Sequence, residues 1–148
     1  MIINQRELRD AQPLRPLMEE KMKSNGVSYG MSEAGYDVRI KQDVLLHPFK
    51  RFSLTSTFEY FHMPDNLVAI VHDKSTWARR GLSVFNTVIE PGWRGWLTLE
   101  LVYHGWKPLY VPAGTGIAQC IFHEVVTPVQ YDGKYQNQEN KPVGAIRA

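Results

Sequence analysis

The chain has 148 residues, 43% of them hydrophobic and 22% charged, the composition of a globular protein of one-domain length. Its formal charge of +2 is too small to signal a nucleic-acid surface, so any electrostatic selectivity must be local. Cys120 is the one cysteine, and the five histidines are scattered without a His-Glu-x-x-His pattern; this excludes an intramolecular disulfide and leaves no ligand cluster for zinc. The apolar runs fall short of the roughly 20 residues of a membrane span, and MIINQRELRD lacks the apolar stretch of a signal peptide, so a cytoplasmic protein without a membrane partner is expected.

In chain order, Pro16 opens the segment PLMEEKMKSNG, with Met18 and Met22 at helical spacing and Gly26 as a stop, which predicts a short N-terminal helix over 16–26. From Tyr36 onward the pattern turns to strands. Leu54, Ser56, Phe58 and Tyr60 alternate with Ser53, Thr55, Thr57 and Glu59, and further strands are predicted over 67–72, 82–89, 95–103, 107–111 and 116–124. Turns fall at MPDN, EPGWRG and PAGTG. Many short strands at this spacing predict an all-β sandwich or jelly roll. Beyond Thr127 the chain is polar and poor in apolar anchors, which by composition alone reads as a frayed end and by function as a lid.

The chemistry concentrates between Asp73 and Glu100. Lys74, Ser75, Thr76, Arg79 and Arg80 crowd one turn, where a mobile ammonium, hydroxyl donors and a planar guanidinium suit phosphate oxygens; a solvated basic turn is the plainer alternative. In the strand that follows, Leu97, Leu99, Leu101 and Tyr103 share one face and Trp96, Thr98, Glu100 and Val102 the other. A leucine face belongs to a core. Glu100 on the second face is either solvated or lines a pocket, where desolvation raises a carboxyl pKa and fits it for proton transfer. Arg79 is suited to orient that carboxylate. Gln119, in the strand IAQCIF, is placed to satisfy backbone groups or to face a base, while Ser75 has no evident His/Asp partners for a hydrolase triad.

Taken together and in order, GYDVR at Gly35–Arg39, KSTWAR at Lys74–Arg79, EPGWRGWLTLE at Glu90–Glu100, PAGTGIAQ at Pro112–Gln119 and GKYQNQ at Gly133–Gln138 resemble the dCTP deaminase family, the zinc-free branch of the dUTPase-like superfamily. The resemblance implies one deaminase-like domain over 1–148, folded as a distorted jelly-roll β-barrel and assembled as a homotrimer with sites at subunit interfaces. It implies conversion of dCTP and water to dUTP and ammonia, with Mg²⁺ carried on the triphosphate and no zinc. By motif position Glu100, Arg79 and Ser75 are the catalytic candidates. The nucleotide is expected to meet Lys74, Ser75, Thr76, Trp77, Ala78 and Arg79, then Thr98, Leu99 and Glu100, then Gln119. Tyr131, Lys134 and Gln138 are expected to fold over it, making 127–148 a lid; dTTP is a candidate inhibitor.

Departures bear on the sugar contacts: Glu90 stands where relatives often carry Asp, Lys74 where many carry Arg, and the stretch from Gly81 to Glu90 is short. Alternatives are a bifunctional enzyme that also cleaves the triphosphate to dUMP and pyrophosphate, and a non-catalytic nucleotide- or partner-binding member. A pure dUTPase fits less well, since that branch lacks a Glu equivalent to Glu100 and ends in a Gly-rich tail.

Overall fold

A computed structural model describes residues 1–147. The short β1 (Ile2–Ile3) leads into α1 (Gln5–Ala11), which buries only Leu8, and β2 (Leu14–Arg15) follows. The helix expected over 16–26 is absent: this stretch passes through a loop into β3 (Lys21–Ser24), which pairs with β4 (Val27–Met31). The reason lies in Asn25-Gly26, with φ of 52° and 77°. Two left-handed residues between paired strands make the hairpin turn that an Asn-Gly step favours, so Gly26 closes a hairpin and does not cap a helix. The actual helix escaped notice because QRELRDA offers one apolar side chain to the core and no stripe.

The remaining elements are β5 (Tyr36–Arg39), β6 (Val44–Leu46), β7 (Phe52–His62), β8 (Leu67–Asp73), the short α2 (Ser75–Ala78), β9 (Leu82–Val84), β10 (Val88–Ile89), β11 (Arg94–Tyr103), β12 (Leu109–Val111) and β13 (Gly116–Glu124). Of these, β7, β8, β11, β12 and β13 lie close to expectation, whereas no strand is expected at β6. The strand expected over 82–89 is broken into two: β9 pairs with β11 and β10 with β8, so Phe85–Thr87 crosses between sheets. A seven-stranded sheet follows the order β10-β8-β13-β5-β4-β3 with β1 added on β13. A four-stranded sheet of order β2-β7-β11-β9 and a β12-β6 ribbon complete the fold. The core lies between these layers and includes Tyr36, Phe61, Leu99, Leu101, Ile117 and Phe122, with Cys120 fully buried among them. Among the described residues no helix is long and apolar enough to cross a membrane.

The sheets are tied together by an irregularity in β7. Trp96 pairs with Tyr60 and Thr98 with Ser56, so β7 carries extra residues between these pairs. Thr57 fills the gap: its hydroxyl accepts from Leu97 N–H at 3.0 Å and donates to the Glu59 carbonyl at 2.7 Å, while its backbone bridges Ile40. Strand alternation then places Glu59 inward with Thr55, Thr57 and Phe61, fully buried, and leaves Phe58 outside at 40% exposure.

Inside, Glu59 meets Arg39, whose Nε donates to Oε1 at 2.8 Å and whose backbone N–H donates to Oε2 at 2.9 Å. The guanidinium lies between the rings of Tyr29 and Phe58, at 4.3 and 4.2 Å.

Candidate active site

β11 builds one wall of the site, and its alternation does the work. Leu97, Leu99 and Leu101 are buried, whereas Trp96, Glu100 and Val102 are half-buried on the opposite face. Thr98 and Glu100 on that face, joined by Leu97 at the irregular end of the strand, line a cavity of about 560 Å³, within the range of small-molecule sites. Phe52, Leu54, Val88 and Leu97 give it apolar walls, and Thr98, Glu90 and Glu100 supply the polar groups. Glu100 Oε2 is buried without a hydrogen-bond partner. Burial pushes the Glu100 carboxyl above its ordinary range, opposed by its own backbone N–H. An unsatisfied buried carboxylate oxygen is costly, and such groups cluster at functional sites.

The C-terminal segment closes the other side. Tyr131 N–H donates to the Pro91 carbonyl at 2.8 Å, and Trp93 Nε1 donates to the Tyr135 carbonyl at 2.6 Å. Gln138 lies along β11, its carbonyl accepting from Trp96 N–H at 3.3 Å. The Thr98 hydroxyl accepts from Val143 N–H at 2.9 Å and donates to Gln138 Oε1 at 3.4 Å. Tyr131, Tyr135, Gln138 and Val143 all line the cavity. Lys134 does not; its ammonium donates to the Ile146 carbonyl at 2.5 Å and sits 5.4 Å from the centre of the Tyr135 ring.

The cationic turn lies elsewhere in the chain. Trp77 anchors α2, buried and donating from Nε1 to the Gly116 carbonyl at 2.7 Å. This leaves Ser75, Thr76, Ala78 and Arg79 exposed. Lys74 is held back, paired with Asp37 and donating to Ser28 Oγ at 2.9 Å. Burial pushes the Asp37 carboxyl up, opposed by its bond to Lys74. Gln119 sits directly across the ladder from Asp37, so it belongs with this turn; its amide donates to Ser32 Oγ at 2.8 Å.

The residues expected at the site therefore fall into two groups. Thr98, Glu100, Tyr131 and Gln138 meet at one cavity, whereas none of Lys74–Arg79, nor Gln119, lines it. Leu99 is fully buried on the opposite face, so only its backbone is available to a ligand. Trp93, Tyr135 and Val143 escaped the sequence reading, although the first two lie inside recognised motifs. Among the described residues, no three His, Cys, Asp or Glu side chains gather into a metal-holding group.

The dCTP deaminase-like family pattern matches residues 36–125, more than half of the chain. The chain belongs to the dCTP deaminase family. Its relatives include the dCTP deaminase of Campylobacter concisus, 37% identical with 84% of each chain covered, and that of Herpetosiphon aurantiacus, 34% identical with 84% of this chain and 86% of the relative covered. Solved structures place the fold among dUTPases. The EIAV dUTPase superposes with a TM-score of 0.57 at 20% identity, over 70% of this chain and 85% of that one. A mutant dUTPase of S. aureus phage phi11, described with a structural Mg(II) ion, gives 0.60 at 16% identity, over 82% and 95%. The jelly-roll reading of the strands thus holds, and the dCTP deaminase family supplies the enzyme type.

Proposed function

We propose that this protein deaminates dCTP by hydrolysis, releasing dUTP and ammonia, without zinc. The observation that carries the reading is Glu100: a carboxyl with one oxygen buried and unpartnered, its pKa raised, facing a nucleotide-sized cavity. Such a group can take a proton and give it back. Glu100 removes a proton from water, and the hydroxide adds to C4 of cytosine. The carboxyl then returns that proton to N3. In the collapse of the tetrahedral intermediate, the hydroxyl proton passes by way of Glu100 to the amine, which leaves as ammonia and makes C4 a carbonyl. Mg²⁺ enters with the substrate, on its phosphates, as suits a cation that keeps much of its water.

One chain supplies the cavity but not the cation beside it. Arg79, Ser75 and Thr76 are exposed and lie outside the cavity of their own chain, so this reading brings them from a neighbouring copy, in a homotrimer. Lys74 and Gln119 accompany that turn, and the triphosphate spans the junction. The cytoplasmic nucleotide pool is the expected setting, and dTTP, with its own sugar and triphosphate, the expected competitor.

The direct test incubates the protein with dCTP and Mg²⁺ and resolves ammonia, dUTP, dUMP and pyrophosphate. Equal ammonia and dUTP are expected; pyrophosphate with dUMP would assign the bifunctional reaction instead, and no ammonia would sink the reading. The shared site predicts complementation. Glu100→Gln and Arg79→Ala proteins, each inactive alone, should regain activity when unfolded together and refolded as mixed oligomers. Failure of mixed oligomers to recover any activity would refute a site built from two chains.

A further inference from the structure

Gln136 lies between Lys134 and Gln138 and does not line the cavity. Its carboxamide is nevertheless fully engaged. Oε1 accepts from the backbone N–H groups of Arg94 at 2.7 Å and Asn137 at 3.2 Å. Nε2 donates to the carbonyls of Gly92 at 3.0 Å and Tyr131 at 3.1 Å. Two donors and two acceptor sites are all that a Gln side chain possesses. One planar amide thus joins the C-terminal segment to the turn that precedes β11.

Backbone geometry prepares the same seat. Asn137 adopts a left-handed φ of 59°, which Asn tolerates better than most residues, and donates its N–H to the Arg94 carbonyl at 2.9 Å. Gly95, at φ 143°, approaches so closely that a Cβ there would lie 2.6 Å from Gln138 N. Immediately downstream, Gln138 and Val143 reach the Thr98 hydroxyl, two residues from Glu100.

We infer that Gln136 is a positioning residue for the reaction: it latches the C-terminal segment to its own chain's Gly92–Gly95 turn, and so sets Tyr135, Gln138 and Val143 against the cavity that holds Glu100. The effect on turnover rests on the deaminase reading; the latch rests on the hydrogen bonds. A segment held closed only part of the time weakens apparent substrate affinity by the fraction closed, while saturating substrate refills the closed state. The latch therefore acts on KM and leaves the proton chemistry to Glu100.

The test compares wild type with Gln136→Ala and Gln136→Glu by amide hydrogen exchange and by dCTP kinetics with Mg²⁺. In both variants exchange should quicken across 131–147 and at Arg94 and Trp96, whose N–H groups donate to the segment, and stay unchanged in β7 and over 97–103. KM for dCTP should rise by ~10-fold or more with kcat within about twofold, as expected when several hydrogen bonds of a closing segment are lost together. Gln136→Glu keeps the shape but turns an acceptor toward the Gly92 and Tyr131 carbonyls, so near-wild-type behaviour of that variant would show mere space-filling and overturn the proposal. Unchanged tail exchange in Gln136→Ala would overturn the latch, and loosened exchange with unchanged KM would overturn its role in positioning. A wild type inactive on dCTP would defeat the deaminase reading and with it the role in turnover, leaving exchange to decide the latch.

Discussion

Glu100→Gln should lower kcat for dCTP deamination by at least the ~10²–10⁴-fold typical of a lost acid–base group, with KM little changed. The amide keeps the size of the side chain and cannot take the proton of water, so hydroxide never forms. In the wild type, kcat/KM should fall on the acid side as Glu100 protonates, with the midpoint above the ordinary carboxylate range because burial holds the pKa up. The stability consequence has the opposite sense. Burial favours the neutral carboxyl, so the folded chain holds that proton more tightly than the unfolded one. The stability this adds is present below the unfolded pKa and is lost as pH rises through the raised folded value. Glu100→Gln removes that loss, and thermal unfolding at neutral pH should find the variant at least as stable as wild type. A variant releasing ammonia near the wild-type rate would end the role given to Glu100, whatever its stability.

Glu59→Ala should be the most damaging single change to the fold. The Glu59 carboxylate is fully buried and Arg39 is 8% exposed, with Arg39 Nη2 buried and lacking a partner. Removing the carboxylate strands a guanidinium between two aromatic rings, and breaking a buried pair in this way costs about 3–5 kcal/mol. At about 2–4 °C of Tm per kcal/mol for a chain of this size, melting should drop by roughly 10 °C, measured at fixed protomer concentration. Replacing both partners with apolar residues, Arg39→Met with Glu59→Leu, should recover part of the loss: no charge is left buried, although the backbone N–H of residue 39 still loses its acceptor. A single variant within about 1 kcal/mol of wild type would show that the pair is solvated. The pair also packs Phe58 against the guanidinium on the outer face of β7, so its loss should disturb the junction of the two sheets.

The residues of WLTLE placed Glu100 correctly because a strand's side chains alternate with a period of two, whatever surrounds it. The same local rule located β7, β8, β11 and β13 to within a few residues. It failed where two local signals competed. Met18 and Met22 suggested a helix, and Asn25-Gly26 made a hairpin, because a left-handed pair of residues joins strands at little strain. Family resemblance named Glu100, Thr98, Tyr131 and Gln138, and these meet at one cavity.

The chain's motifs could not show which of those residues share a cavity and which stand apart. Lys74 reads as a free cation in sequence, yet its partner is Asp37, and the alternation that carries Glu59 does not reveal that this set faces the interior, with Arg39 as the partner of Glu59. Composition marked the C-terminal segment as polar and loosely held, whereas its backbone and Gln136 bond to a turn some forty residues earlier. Local pattern thus determined the long strands and the face on which Glu100 lies, since these depend on neighbours in the chain. Burial, ion pairing and the seating of the C-terminal segment were decided only by the tertiary structure. They depend on which distant backbone groups come within about 3 Å, and nothing in the spacing of residues records that distance.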